Sequence, residues 1–369
     1  MRTYPAIGLE IHVQLDTRTK MFCGCATDFG APPNTLVCPV CLGYPGALPV
    51  INAEAIRLTV RTGMMLGCRI NRRSKFDRKH YFYPDMPKNY QISQYDQPLC
   101  LGGSLELPGA REGDATKTVH LTRIHLEEDV AKNMHFRETS GVDFNRAGHP
   151  LMEIVTEPVL ESPQQAYDFL TALKQILVYG GISHCNLEEG NMRCDINCSV
   201  RADPGEPLGV KTEIKNMNTF KGVLQALKHE IERQSELLRT GGVVLQETRR
   251  WDPARNATES MRTKEDAHDY RYFPDPDLLP VKLSEDCLRK WEGDLPELPR
   301  ERCARLVREY GLPEYDAGVI SADKHVADYF EAAACLGAAP KMVSNWVMTE
   351  MLRLLAESEM EITRVGITP

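Results

Sequence analysis

Glu10 and His12 stand one residue apart in a stretch whose other positions are Ile7, Leu9, Ile11, Val13 and Leu15. Side chains on a strand alternate between its two faces, so this carboxylate and imidazole project together from one face. The pattern recurs. Arg123, His125, Glu127 and Asp129 alternate with Ile124 and Leu126, and Arg193, Asp195, Asn197, Ser199 and Arg201 alternate with Met192, Cys194, Ile196, Cys198 and Val200. A shorter run sets Lys211, Glu213 and Lys215 against Val210, Thr212 and Ile214. Glu153 lies in the otherwise apolar run Pro150–Val155, where an ionised carboxylate is costly without a partner. A metal ion or an arginine, with Arg146 near in sequence, would meet that cost. Solvated strand faces gather Thr, Ser, Lys and Gln without theme, whereas these faces collect groups that bind metal ions and phosphates. Several carboxylates with a single histidine, lacking the spacings of zinc enzymes, favour a hard cation such as Mg²⁺, which commonly bridges protein to phosphate oxygens. A structural polar network of the same residues is the competing reading.

A second constellation is made of sulfur. Cys23-Gly-Cys25 is followed by Cys38-Pro-Val-Cys41-Leu-Gly43, a four-thiolate pattern whose second half is a zinc knuckle. Four thiolates close a tetrahedral Zn²⁺ site and leave no open position, so the expected role is structural. The remaining eight cysteines show no ligand spacing and read as small buried hydrophobes.

These residues need a sheet to carry them. Up to about Leu283 the chain reads as strands and long loops punctuated by Gly and Pro, with three helices among them. One starts at Ser162-Pro163 and stops at Gly180-Gly181, one runs from about Phe220 to Arg239, and one follows Asn52 from about Ala53 to Leu66. Beyond Pro296, residues 300–310, 322–336 and 340–357 carry helical periodicity. The expectation is an α+β first domain, residues 1–290, built on an antiparallel sheet with a zinc element at about 20–45, and a helical domain over 291–369. A hydrophobic fraction of 42% suffices for a core, and no apolar run reaches the roughly 18 residues of a membrane span. The N-terminus has no apolar signal region, which predicts a cytoplasmic protein with reduced thiols. A net charge of −8 argues against a sequence-independent nucleic-acid coater. The cluster Arg69, Arg72, Arg73, Lys75, Arg78 and Lys79 is either a local patch for a shaped RNA or a solvated run. No GxxxxGK loop is present, so any nucleotide is held by another device.

Several runs resemble a known family: YPAIGLEIHVQL at the start, DRKHYFYPDMPKNYQISQYDQP (77–98), IHLEED (124–129), VDFNRAGHPLMEI (142–154), EEGNMRCDIN (188–197), KTEIKNMNTF (211–220), QETRRWD (246–252) and DYRYFPDPDLLP (269–280). Together they are similar to the GatB/GatE family of tRNA-dependent amidotransferase components, over essentially the whole chain. The resemblance implies a ligase component that uses ATP and Mg²⁺ to phosphorylate the side-chain carboxylate of Glu on tRNA(Gln) or Asp on tRNA(Asn). Ammonia from a separate amidase/glutaminase chain then displaces the phosphate, with a third, small chain completing a heterotrimer. No membrane or DNA partner is expected. The implied fold of the first domain is a cradle like glutamine synthetase and the guanido kinases. Carried over, Glu10, His12, Glu127, Glu153 and Asp195 match positions for metal binding and phosphoryl transfer, while Lys211, Glu213 and Arg146 are candidates for ATP or phosphate contact. Strand parity favours Glu127 over Glu128, which shares the face of Ile124 and Leu126. The cysteine quartet matches many members. The family continues into a further helical tail domain that engages tRNA, whereas this sequence ends at Pro369, so weaker tRNA binding is expected. The alternatives are a small-molecule carboxylate–amine ligase on the same kind of sheet and a non-catalytic zinc scaffold that positions RNA.

Overall fold

The computed structural model describes residues 3–109, 115–187, 189–263, 269–358, 360 and 362–369. The chain divides into two compact units, Met1–Leu173 with Ile182–Asp294, and Lys174–Gly181 with Leu295–Pro369.

Alternating apolar residues build the first unit. Strands β1 (Tyr4–Gln14), β2 (Asp77–His80), β3 (Tyr90–Ser93), β4 (Lys117–Glu128), β5 (Pro150–Thr156), β6 (Met192–Arg201), β7 (Thr212–Met217), β8 (Glu247–Asp252) and β9 (Ala257–Thr263) carry most of it. Among the described residues the main sheet has ten strands and runs in the order β9-β8-β7-β6-β1-β5-β4, continuing into the short strands Cys100–Leu101 and Arg69–Ile70, with Ser104–Leu107 also on β4. The back face carries Ile7, Leu9, Ile11, Val13, Ile124, Leu126, Ile154, Cys194, Ile196 and Cys198, all buried. Each buried aliphatic side chain of this kind contributes about 1.5–3 kcal/mol relative to exposure. Strands β2 and β3, with Phe273–Pro274, form a separate three-stranded sheet, and β3 packs against β4.

Three helices cover the sheet unit's apolar surfaces or begin there. Helix α1 (Ala53–Met65) is capped by the Asn52 side chain, which accepts from the amides of Glu54 and Ala55. Helix α2 (Pro163–Tyr179) starts with Ser162 accepting from the Gln165 amide and buries Ala166, Phe169, Leu170 and Leu173. Helix α3 (Phe220–Arg239) lies on β6, β7 and β9. The sheet is antiparallel as expected except at one pair beside this helix. β7 and β8 run parallel, with Glu213 opposite Thr248, because a helix-containing crossover separates them and a tight hairpin does not. The fourth alternating run is also shorter than expected, for β7 begins at Thr212 and leaves Val210 and Lys211 outside it. Just upstream, a Cβ on Gly209 would lie 2.4 Å from the Val200 carbonyl oxygen, an approach only glycine allows. Helix α4 (Glu285–Gly293) completes the unit.

The second unit is helical: α5 (Pro299–Tyr310), α6 (Glu314–Ser321), α7 (Lys324–Cys335), α8 (Pro340–Trp346) and α9 (Leu352–Ser358), with one π-helical turn at Val347–Met351. Pro299 opens α5 and Gly311, at φ +65°, ends it. Leu306, Leu312, Ala317, Ile320, Ala327 and Phe330 form its main core. Among the described residues no helix is long and apolar enough to cross a membrane.

Candidate active and metal-binding sites

Strand pairing assembles the polar faces. His12 on β1 is opposite Glu153 on β5, and Glu153 is in turn opposite His125 on β4, with Glu127 one position further along that face. His12 Nε2 lies 3.3 Å from Glu153 and 3.7 Å from Glu127, while His125 Nε2 lies 3.5 Å from Glu153 and 3.9 Å from Glu127. Ser93 Oγ, reaching over from β3, donates to Glu127 at 3.3 Å. Ligand atoms of His12, Glu127 and Glu153 all lie within 4.8 Å of one another, so the three could hold one metal ion.

The electrostatics agree with that use. Burial disfavours an ionised Glu153, yet His125 and His12 hold its carboxyl well below the usual carboxylate range. Burial likewise opposes a charged His12, but the Glu153 hydrogen bond and the fields of Glu153, Glu127 and Asp195 raise its pKa. A divalent cation would take over the proton's part on His12 and supply the counter-charge these carboxylates demand. His125 behaves differently, because burial keeps it neutral. Arg123 Nε donates to its Nδ1 at 3.4 Å, leaving Nε2–H aimed at the carboxylates. The Mg²⁺ expectation counts one histidine in this cluster, and the structure brings in a second, His125, from the alternating run of Glu127. The signal for His125 is its parity with Glu127, which becomes informative only once β4 and β5 are in register.

The remaining candidates fall around this centre. Glu10 is opposite Asp195 across β1 and β6. Glu10 accepts from Asn197 Nδ2 at 2.8 Å, and Asp195 is paired with Lys215. Glu213 accepts from Thr248 Oγ1 at 2.7 Å and lies 3.3 Å from Lys215. Lys211, ahead of β7, is exposed. Arg146 does not serve Glu153. It lies 3.6 Å from Asp129 and donates to the carbonyls of Val130 and Ala131, since the turn before β5 directs it to the far end of β4. Asp129 also receives Arg193 at 2.9 Å and Gln14 at 2.8 Å. Glu128, on the opposite parity from Glu127, is buried against Lys88 at 2.6 Å. Lys79 on β2 lies over the rings of Tyr270 and Tyr81 and within the fields of Glu127 and Glu153. The basic cluster around it is broken up by acidic partners: Arg72 meets Glu285, Lys75 meets Asp77 and Asp96, and Arg78 meets Asp275 and Asp277.

The cysteine quartet forms a second centre in the same unit. Sulfurs of Cys23, Cys25, Cys38 and Cys41 lie within 4.8 Å of one another and can hold a metal such as zinc. The Cys38 amide donates to Cys41 Sγ at 3.2 Å, and Gly43 takes φ +69° to close the knuckle. The Cys41 thiolate is favoured by a hydrogen bond from Cys23, with Cys38 and Lys20 adding to it, while the Cys23 thiol is pushed up. Lys20 is wholly buried, with Nζ 3.6 Å from Cys41 Sγ. An ammonium there suits the net negative charge of a tetrathiolate metal centre.

Residues 5–289 match the GatB/GatE catalytic domain. The B subunit of the aspartyl/glutamyl-tRNA(Asn/Gln) amidotransferase of Methylacidiphilum infernorum is 54% identical over 362 residues, covering 96% of this chain and 75% of that protein. The B subunits of the same enzyme from Thermodesulfovibrio yellowstonii and Caldanaerobacter subterraneus subsp. tengcongensis are 51% and 52% identical, over 100% of this chain and 77% of theirs. With the catalytic-domain match spanning the sheet unit and about half of all residues shared with these enzyme components, the chain belongs to the GatB/GatE family.

Proposed function

We propose that this chain activates the side-chain carboxylate of a misacylated aminoacyl-tRNA, Glu on tRNA(Gln) or Asp on tRNA(Asn), by transferring to it the γ-phosphoryl group of ATP. Ammonia from a glutaminase partner then replaces the phosphate, giving the amide. A carboxylate at neutral pH does not accept ammonia, and the acyl phosphate supplies the missing leaving group. The observation that carries the reading is the His12–Glu127–Glu153 set on one sheet face, with Glu127 buried and the other two half-buried. Its two carboxylates and single imidazole fit Mg²⁺, which would neutralise developing charge on the phosphates when bound. His125 orients the carboxylates through its Nε2–H. Glu10 and Asp195 extend the acidic face toward Lys215, and Lys211, Glu213 and Arg146 are assigned to the nucleotide side. In this reading residues 1–290 act as a cradle of the glutamine synthetase kind, residues 291–369 as a helical domain, and zinc as a structural ion. The assembly is a cytoplasmic heterotrimer with an amidase/glutaminase chain and a third, small chain.

The test is ADP formation by the reconstituted complex in the presence of each misacylated tRNA. Glu10→Gln, Glu127→Gln and Asp195→Asn should each lower tRNA-dependent ADP formation by on the order of 100-fold or more while leaving the partner's glutaminase activity intact, since near-isosteric amides remove charge without opening cavities. Normal turnover in all three variants would overturn the site assignment. ATP hydrolysis that follows free glutamate instead of aminoacyl-tRNA would favour the small-molecule ligase.

A further inference from the structure

Lys79 faces the His12–Glu127–Glu153 centre and, among the described residues, has no carboxylate within ion-pair distance. Its neighbours in sequence are committed, Lys75 to Asp77 and Asp96, and Arg78 to Asp275 at 2.8 Å. Lys79 Nζ instead sits 5.0 Å from the centre of the Tyr270 ring and 6.0 Å from that of Tyr81. Among the described residues no carboxylate lies within 4.0 Å of it, and Glu127, Tyr272, Tyr270 and Glu153 act on it through space. Lys79 is opposite Gln91 across β2 and β3, on the face that also carries Ser93, whose hydroxyl donates to Glu127 at 3.3 Å.

Ring faces attract an ammonium without cancelling its charge or accepting its three N–H bonds as a carboxylate would. The result is a positioned cation with spare donors, next to carboxylates that could hold a metal. Phosphoryl transfer calls for such a donor, because charge spreads over the oxygens of the moving group. The chain has no GxxxxGK loop to provide the lysine that P-loop enzymes use there.

We propose that Lys79 is a catalytic residue of the phosphoryl-transfer step, its ammonium binding the γ-phosphoryl oxygens as that group passes from ATP to the aminoacyl carboxylate. The assignment rests on the kinase reading given above. In the step, the bond between the γ-phosphorus and the β–γ bridging oxygen breaks, and its electron pair leaves with ADP. A carboxylate oxygen forms the new bond to phosphorus. No proton is transferred, so Lys79 acts as a charged donor throughout and not as an acid.

The test uses the complex reconstituted with its glutaminase partner, carrying Lys79→Met or Lys79→Arg. ADP formation driven by misacylated tRNA gives kcat and the KM for ATP, and calorimetric titration with ADP gives affinity for a nucleotide that lacks the transferred group. Lys79→Met should lower kcat about 100- to 1000-fold, the range for removing one donor to a developing oxyanion. Affinity for ADP should stay within about threefold and Tm within about 2 °C, and Lys79→Arg should recover activity at least about tenfold over the methionine variant. Turnover of Lys79→Met within about threefold of the unmodified complex overturns the assignment. Parallel loss of kcat, ADP affinity and Tm with no recovery by arginine also overturns it, because that pattern marks a structural lysine. Failure of the unmodified complex to form ADP in response to misacylated tRNA brings down the kinase reading, and the role of Lys79 with it.

Discussion

Asp129 shows how individual side chains stabilise this active face. Burial alone would raise its pKa, but Arg193 and Arg146 more than reverse that and hold its carboxyl well below the usual range. A carboxylate with a depressed folded-state pKa adds stability that is present above its unfolded value near 3.9 and is lost as pH falls through the folded value. Asp129→Asn should therefore destabilise the protein by roughly 2–3 kcal/mol at pH 7, less than for a fully buried pair because Arg193 reaches solvent. Urea denaturation at pH 7 and again near pH 3 checks this: the gap between wild type and variant should narrow at the lower pH. A gap that is unchanged or wider in acid would show that Asp129 acts through packing and not through its charge. Glu153 has the same sign of shift, but its partners are His125 and the candidate ligand His12, so bound metal would replace protonation as its main source of stabilisation.

At the scale of elements, the segment holding Cys23, Cys25, Cys38 and Cys41 consists of turns, with only an isolated bridge between Thr19 and Ala26. Such a segment buries little apolar surface of its own, and a metal can supply the missing cohesion. Cys41→Ser should reduce bound zinc from one equivalent to a small fraction and lower Tm by on the order of 5–10 °C. Metal analysis with thermal scans of freshly reduced protein measures both. An unchanged zinc content would remove Cys41 from the ligand set. His12, Glu127 and Glu153 lie on strands outside this segment, so a variant that still folds should keep the proposed ATP-dependent step.

At the scale of the whole molecule, the proposed reaction needs an amine nucleophile that the sheet face does not itself generate. Its cluster is suited to metal and phosphate, and the sequence contains no Ser–Lys constellation after a Gly/Ser-rich loop that would suggest a glutaminase. With ATP and misacylated tRNA, ammonium chloride at high concentration should support amide formation by this chain without its partner, whereas glutamine should not. Chromatography of the amino acid released from the tRNA distinguishes the two. Amide formed from glutamine by the purified chain alone would place a glutaminase within it.

The sequence by itself determined which residues share a face. Period-two alternation follows from the pleat of each strand, so Glu10 with His12, Glu127 apart from Glu128, and Arg193 with Asp195 are all legible without knowing the fold. The four thiols are legible for a similar reason, because tight turns set their local spacing and two Cys pairs make a closed ligand set. Caps at Asn52 and Ser162 are likewise local, since each satisfies amides only two or three residues away. Tertiary structure decided which faces meet and in what register. The approach of His12 to Glu153, the arrival of His125, the diversion of Arg146 to Asp129 and the placement of Lys79 against Tyr270 all join segments far apart in sequence. So does the parallel pairing of β7 with β8 across helix α3. Alternation is the same whichever strand a segment pairs with, and a two-residue shift in register preserves every face while exchanging every cross-strand neighbour. Only packing of the shared apolar back face against its helices selects one register, and the chemistry of the front face follows from that selection.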